Sequence, residues 1–417
     1  MYLNDVTTAV IGLLALKLVT ELCLNGLNRR YVWARRNMVP EHCRSFVTLD
    51  TYQKSVDYTL AKSRFSSFCD IFDFGLDTVI LLYGVLPVLF SFFLQRFGTS
   101  IWGQAANFLF IQLVLSLFSI PLSWWSQFRL EKRFGFNQST LKIFWSDKLK
   151  GYLLSALIGL PILALLVYLF QSFTHTWWLL VWATLSGFKL IMTILYPLII
   201  LPIFNKLTPL EDGPLKDRLF QLAQQTQFPV NKIFLMDGSR RSLHSNAFFT
   251  GIGKFRHIVL YDTLVAQLTI DELAAVLAHE IGHYKKCHIR KSLLLESFCS
   301  FLGFAVLYQL AIAPWFLSSF GFETADIFVP LFVLFPLVAE GITFWFEPIF
   351  NRLSRQYEYE ADRFAKTAMG SAEPLIASLQ KLHQKNLSNL TPHPLFSAFY
   401  YSHPTLLERE QALRAAL

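Results

Sequence analysis

The stretch His279-Glu280-Ile281-Gly282-His283 carries two imidazoles four residues apart with a carboxylate directly after the first. On a helix, residues i and i+4 share one face, so both rings can take corners of a single tetrahedral zinc. Glu280 lies about 100° around that helix. It can reach a metal-bound water without binding the metal, which is the arrangement of a zinc hydrolase. A zinc so held brings its water to a pKa of about 7, and Glu280 is the base that takes the proton as this water attacks a peptide carbonyl. The bland alternative is a helix whose histidines are capped or exposed.

A catalytic zinc needs a third protein ligand and an open fourth position. The segment "SRQYEYEADRFA", residues 354 to 365, supplies Glu358 and Asp362, again four apart on an expected helix. Glu358 would complete a set of two histidines and one carboxylate. Asp362, on the same face, would accept a hydrogen bond from a ligating histidine. Alone, such a pair is an ordinary solvated helix face; beside the histidine motif it is informative.

The elements that must position these residues begin after residue 205. "TIDELAAVLAHEIGHYKKCH" opens with Thr269 and Glu272 three apart, a capping-box start for the helix bearing the histidines. Upstream, Leu215, Leu219 and Leu222 recur at helical spacing behind a Pro-Leu-Glu-Asp-Gly-Pro turn. Between these helices lie two strand-like runs, "KIFLMD" and "RHIVLYD", with "SNAFFTGIGK" offering a hairpin.

All of this sits in a chain of 417 residues that is 53% hydrophobic, 16% aromatic and only 16% charged, with a mean hydropathy of +0.41. That composition belongs to an integral membrane protein. Apolar windows long enough to cross about 30 Å of hydrocarbon fall at 7 to 24, 71 to 94, 104 to 124, 151 to 171, 177 to 204, 292 to 316 and 327 to 350. The first lacks a basic leader and a cleavage site and contains Lys17 and Glu21, so it is expected to be a retained span. Lys17 and Glu21 form an i,i+4 pair within it, whereas Lys189 and Glu340 stand isolated in later spans. Charges in spans face a partner or a water-filled space.

Basic residues cluster between spans one and two and after span three, while the connections near 95 to 103, 172 to 176 and 317 to 326 hold Arg96 alone. The positive-inside rule then puts the N-terminus outside and the polar regions 205 to 291 and 351 to 417 in the cytosol. The net charge of +8 is a matter of topology, and no nucleic-acid partner is expected. The five cysteines, Cys23, Cys43, Cys69, Cys287 and Cys299, show no C-x-x-C spacing and read as free thiols.

Together these blocks resemble the type I CaaX prenyl endopeptidases, seven-span membrane zinc metalloproteases. The resemblance runs through "EKRFGFN" at 131, "LTPLEDGPLKD" at 207, "HSNAFFTG" at 244, "AHEIGH" at 278, "EYEADRFA" at 358 and "YSHPTLLERE" at 401. It implies that His279, His283 and Glu358 bind one zinc per chain, that Glu280 is the general base and that Asp362 supports the site. It further implies that His403 and Arg409 lie near the scissile carbonyl and that Asn246, with Ala247 and Phe248 on an extended strand, holds the substrate backbone. The implied architecture is mainly α, a seven-helix barrel enclosing a chamber, with a zincin-like domain containing a small hairpin or sheet at its cytosolic end. Its division is 1 to 204 for helices one to five, 205 to 291 for the first catalytic region, 292 to 350 for helices six and seven, and 351 to 417 for the region with the third ligand.

The implied reaction removes the last three residues from a prenylated CaaX cysteine. A prenyl chain would partition into an apolar chamber while its peptide meets the zinc. The compact region between spans five and six, and a C-terminal "QALRAAL" without an evident retrieval signal, suit a prokaryotic member in an inner membrane. Its substrate would then be any membrane-adjacent or misfolded chain. A eukaryotic member would sit in the endoplasmic reticulum or inner nuclear membrane. The bilayer and a peptide or protein are the expected partners, and a monomer suffices.

Three rivals remain. A quality-control protease of the shorter related branch shares the catalysis without lipid preference, but has fewer spans. A site-two-type protease would bury the motif within a span, whereas Lys285, Lys286, His288, Arg290 and Lys291 follow it at once. A zinc transporter needs ligands at mid-membrane, and a silent zinc scaffold would be expected to have lost Glu280. His393-Pro394 repeats the dipeptide at His403 without matching context, and His244 suits either the cleft or a structural hydrogen bond.

Overall fold

The computed structural model describes residues 2–230, 232–250 and 257–415. Helix α1 (Asp5–Ala34) begins at an Asn4 capping box, and α2 (Leu49–Leu82) begins at Thr48. At 30 and 34 residues they are about 45–50 Å long, well beyond the hydrocarbon thickness. Both therefore run on as helix beyond the apolar windows, α1 to Ala34 and α2 from Leu49, with a short connection of turns between them.

The window at 71 to 94 is not one straight helix. It breaks at Gly84, whose φ of +66° is the left-handed conformation glycine adopts without strain, and α3 (Val85–Phe97) leaves at 65° to α2. The window at 104 to 124 breaks as well. Helix α4 (Ile101–Leu117) gives way to α5 (Ser119–Trp125) and a π-helical turn, Ser126–Glu131, bent by 41°. Helix α6 (Leu141–Ser172) and α7 (Trp177–Leu195), continued to α8 (Leu201–Phe204), complete the N-terminal half.

Strand β1 (Leu207–Pro209) and α9 (Pro214–Gln225) open the polar region, with Leu219 and Leu222 buried as their spacing predicts. Strands β2 (Lys232–Met236), β3 (Ala247–Thr250) and β4 (His257–Tyr261) join β1 in one sheet of order β1-β2-β4-β3. The two strand-like runs are thus neighbours, but parallel ones, Lys232 opposite His257. The hairpin is formed by β3 and β4, with Ala247 opposite Leu260; the turn expected within it falls on 251 to 256, outside the described residues. Strand β3 is an edge.

Then come α10 (Asp262–Gln267), α11 (Ile270–Lys285), α12 (His288–Ala311), α13 (Pro314–Ser319), α14 (Phe328–Thr343) and α15 (Glu347–Met369). The last are α16 (Glu373–Lys385), α17 (Pro394–Tyr400) and α18 (Leu406–Arg414). Helix α12 starts three residues before the expected border at 291, and α15 crosses the one at 350. Among the described residues, five helices are each long and apolar enough to span a membrane, and the two bent pairs raise that to seven if each is one span. The chain is thus mainly helical, with several membrane-spanning helices and one small sheet.

Two large apolar cores follow this division. One lies among the spans, around Leu81, Ile111, Val167, Val181 and Leu331. The other joins Val32 of α1 and Tyr52, Val56 and Leu60 of α2 to Leu219, Leu277, Ile281 and Leu379. The extended ends of α1 and α2 are therefore part of the domain that carries the histidine motif. The span charges singled out in the sequence are paired: Lys17 Nζ lies 2.5 Å from Glu340 and 3.7 Å from Glu21, and Lys189 bonds Glu296 of α12. Neither Lys189 nor Glu340 is isolated, because their partners lie on distant helices.

Candidate active site

Helix α11 starts as its sequence predicts. Thr269 Oγ1 accepts from the Glu272 N–H, and Glu272 Oε2 accepts from the Thr269 N–H at 2.8 Å. Glu272 also takes Lys381 Nζ of α16 at 2.7 Å, tying the cap to the next layer. One turn before its end, α11 presses against α15 at Gly282. A Cβ there would come within 2.9 Å of Ala361 Cα and 3.1 Å of Phe364 Cβ. That absence of a side chain lets Glu358 and Asp362 reach the histidines.

His279 Nδ1 donates to Asp362 Oδ1 at 2.7 Å, which turns Nε2 away from Asp362. There Nε2 lies 3.1 Å from His283 Nε2 and 3.5 Å from Glu358 Oε2, while His283 Nε2 lies 3.2 Å from Glu358 Oε1. One ligand atom from each of these three residues falls within 4.8 Å of the others. Glu358 is 4% exposed, yet its Oε2 has no hydrogen-bond partner. Two imidazole nitrogens converging on a buried carboxylate, one of whose oxygens is unpartnered, are a donor set fit for zinc.

Charge is concentrated here. Burial works against ionisation of Glu358, but the close imidazoles of His279 and His283 and the charge of Arg409 hold its carboxyl far below the usual range. Asp362 is likewise held down, against burial, by His279 and Arg409. Burial opposes a charged His279 as well; the hydrogen bond to Asp362 and the nearby Glu358 carboxylate overcome it and raise the imidazole to about 9. Glu280 moves the other way, its carboxyl raised by burial more than neighbouring cations lower it. A carboxyl raised above its ordinary value suits an acid–base residue.

A cavity of about 630 Å³ opens over the cluster and meets Glu280, His403, Ser245, Asn246, Ala247 and Phe248. Its walls include Val276, Leu293, Leu375 and Leu382. His403 Nε2 is 3.4 Å from Glu358 Oε1; its ring is 64% exposed, to the cavity, while the surrounding protein keeps its pKa low. Asn246 Oδ1 accepts the N–H of Ala247 at 2.8 Å. All ten residues singled out in the sequence thus gather at one place. Arg409 is buried behind the cluster, with Nε and Nη2 on Asp362 and Nη1 3.5 Å from Glu358 Oε2.

His244 lies elsewhere. Its Nε2 is 3.1 Å from Glu131 Oε2, and its ring stacks on Phe136 at 4.0 Å. Tyr58 donates to the same Glu131 at 2.7 Å, so the histidine pins the π-helical turn to the loop before β3. His393 caps α17 and packs edge-on against Tyr31. Two residues that the sequence did not single out join the site: His288, whose Nδ1 is 3.0 Å from His283 Nδ1, and Glu360, whose Oε2 is 3.1 Å from His288 Nε2. The only signal was a histidine five residues beyond the motif, hidden in a basic run.

Comparison with known proteins agrees with this architecture. A family model described as the CAAX prenyl protease N-terminal region with five membrane helices matches residues 28–206, and that of peptidase family M48 matches residues 209–417. The chain is 36% identical over 412 residues to CAAX prenyl protease 1 of Saccharomyces cerevisiae, covering 92% of this chain and 90% of that one. Identity is 35% over 390 residues to the CAAX prenyl protease 1 homolog of Arabidopsis thaliana, with 90% of each chain covered. It is 30% over 431 residues to that of Homo sapiens, covering 93% and 90%. The crystal structure of S. mikatae Ste24p is similar with a TM-score of 0.91 at 32% identity, over 99% of both chains.

Proposed function

The chain belongs to the CaaX prenyl protease branch of peptidase family M48, and on that premise we propose that it is a multi-pass membrane zinc metalloendopeptidase that cleaves C-terminal CaaX peptides. The observation that carries this reading is the convergence of His279, His283 and Glu358 on one point beside Glu280. These three residues would hold one zinc, which when bound supplies an acidified water and an electrophile for the peptide carbonyl.

The chain's own residues do the rest. Glu280 takes a proton from the attacking water and delivers it to the departing amine nitrogen. His403, open to the cavity, donates from Nε2 to the carbonyl oxygen as negative charge grows there. Arg409 serves by positioning, since its guanidinium is engaged with Asp362 and Glu358. The outer edge of β3 takes the substrate as an added strand. Asn246 O accepts from the Tyr261 N–H, so by alternation Ala247 turns its backbone outward, and Asn246 Nδ2 remains to bond the peptide.

We assign seven spans, each bent pair counted as one, around an apolar chamber that receives the prenyl chain. The N-terminus is outside, and 205–291 and 351–417 are cytosolic, in accord with the basic segments. Cleavage of a farnesylated CaaX peptide and its unprenylated twin by the purified protein in detergent tests this reading. Chelator-sensitive cutting that favours the farnesylated peptide and vanishes in Glu280→Gln is expected. Equal cutting of both would remove the lipid preference and point to general membrane-associated proteolysis; a zinc-loaded protein that cuts neither would leave a zinc scaffold.

A further inference from the structure

Asp362 orients the first of the two histidines through its Nδ1; among the described residues no carboxylate pairs with Nδ1 of the second, which faces His288. We infer that His288 and Glu360 form a relay that positions His283, an inference that rests on the zinc reading above.

The argument starts from tautomers. With Nε2 of His283 aimed into the metal site, its proton lies on Nδ1. That N–H points at His288 Nδ1, 3.0 Å away, and needs an acceptor there. His288 is prepared to be one. Its Nε2 faces Glu360 Oε2 at 3.1 Å, and a carboxylate accepts only from an N–H, so a neutral His288 carries its proton on Nε2 and leaves the Nδ1 lone pair free. Both ends of the chain demand the same assignment: His283 donates to His288, and His288 donates to Glu360.

The backbone is shaped for this contact. Between α11 and α12 the chain turns at Cys287, with φ 59° and ψ 29°. This left-handed conformation is uncommon for a residue with a Cβ. Cys287 N–H closes on Tyr284 O at 2.9 Å and its own carbonyl accepts from Lys291 N–H at 3.0 Å. The next residue, His288, is thereby thrown back against the face α11 has just left. Its ring is 3% exposed and lies flat on Tyr357 of α15, centroids 4.2 Å apart and planes at 13°. A ring held on its face by Tyr357, at one nitrogen by Glu360 and at the other by His283 has no freedom to turn. Helix α15 thus supplies a ligand at 358 and orients both histidines, one through Asp362 and the other through Glu360 and His288.

Zinc affinity of the purified protein, measured by competition with a chromophoric chelator, tests the relay, alongside the visible absorption of the cobalt-substituted form. His288→Ala should weaken zinc about 10- to 100-fold and alter the cobalt spectrum, while the metal-free protein keeps its melting temperature. His288→Asn, which keeps an acceptor near Nδ1, should recover most of the affinity. Parent affinity and spectrum in His288→Ala would overturn the relay, as would a lowered melting temperature with unchanged affinity, which would assign the ring to packing. Should His288→Ala not fold, Glu360→Ala decides: weaker zinc upholds the relay and parent affinity overturns it. A parent protein without stoichiometric zinc would instead overturn the metalloprotease reading itself.

Discussion

Arg409 holds Asp362 with two nitrogens, Nη2 at 2.5 Å from Oδ1 and Nε at 2.8 Å from Oδ2, and both residues are buried. Asp362 in turn holds His279. A cation from α18, the last helix, therefore determines where His279, the proposed zinc ligand on α11, points. Planar two-point contact is what a guanidinium offers and an ammonium does not. Arg409→Lys should fold yet lose about 10- to 100-fold in zinc affinity or turnover. Arg409→Ala should cost about 3–5 kcal/mol, because it strands two buried carboxylates. Chelator competition and thermal unfolding measure the two effects; parent zinc affinity in Arg409→Lys would contradict the chain of contacts.

Zinc binding should release a proton. His279, raised to about 9 by Asp362 and Glu358 against its burial, is protonated at pH 7 without metal and must lose that proton to ligate. The binding enthalpy, measured calorimetrically at pH 7 in buffers of different ionisation enthalpy, should show close to one proton leaving per zinc. Affinity should rise with pH up to about 9. An enthalpy independent of buffer would contradict the assignment.

Acid should loosen the start of the histidine helix. Burial works against Glu272, but Lys381 and the Thr269 N–H overcome it and hold the folded carboxyl below its ordinary value. A depressed carboxyl contributes stability that is complete above its unfolded pKa of about 4.3 and is lost as pH falls through the lower folded value. Unfolding temperatures followed from pH 7 to 3 should fall less steeply in Glu272→Gln than in the parent. Parallel curves would remove Glu272 from the acid transition.

Gly282→Ala should be tolerated poorly. The added methyl would meet Ala361 backbone at 2.9–3.0 Å, so α11 and α15 must separate. Overpacking of this kind costs about 1–3 kcal/mol, and here it also draws Glu358 from the histidines. Lower melting temperature and weaker zinc should appear together; a variant with parent values for both would show that the helices have slack.

The histidine motif, the capping box at Thr269 and Glu272, the pair Glu358 and Asp362, and the apolar windows were legible because each expresses a local period: four residues for one helix face, three for a cap, about twenty for a bilayer. Sequence spacing already put Asp362 on the face of Glu358, and proximity of His403, Arg409 and Asn246 followed from family resemblance. Tertiary structure alone decided the rest. The bends at Gly84 and Phe118, and the parallel pairing of β2 with β4, appear only in the assembled fold. Lys189 and Glu340 looked alone because their partners lie 107 and 323 residues away. His288 was hidden for a related reason. Its role depends on a left-handed turn at Cys287, where no glycine announces it, and on Glu360, 72 residues on. Local pattern determines which residues share a helix face; which faces meet is decided only when the helices pack.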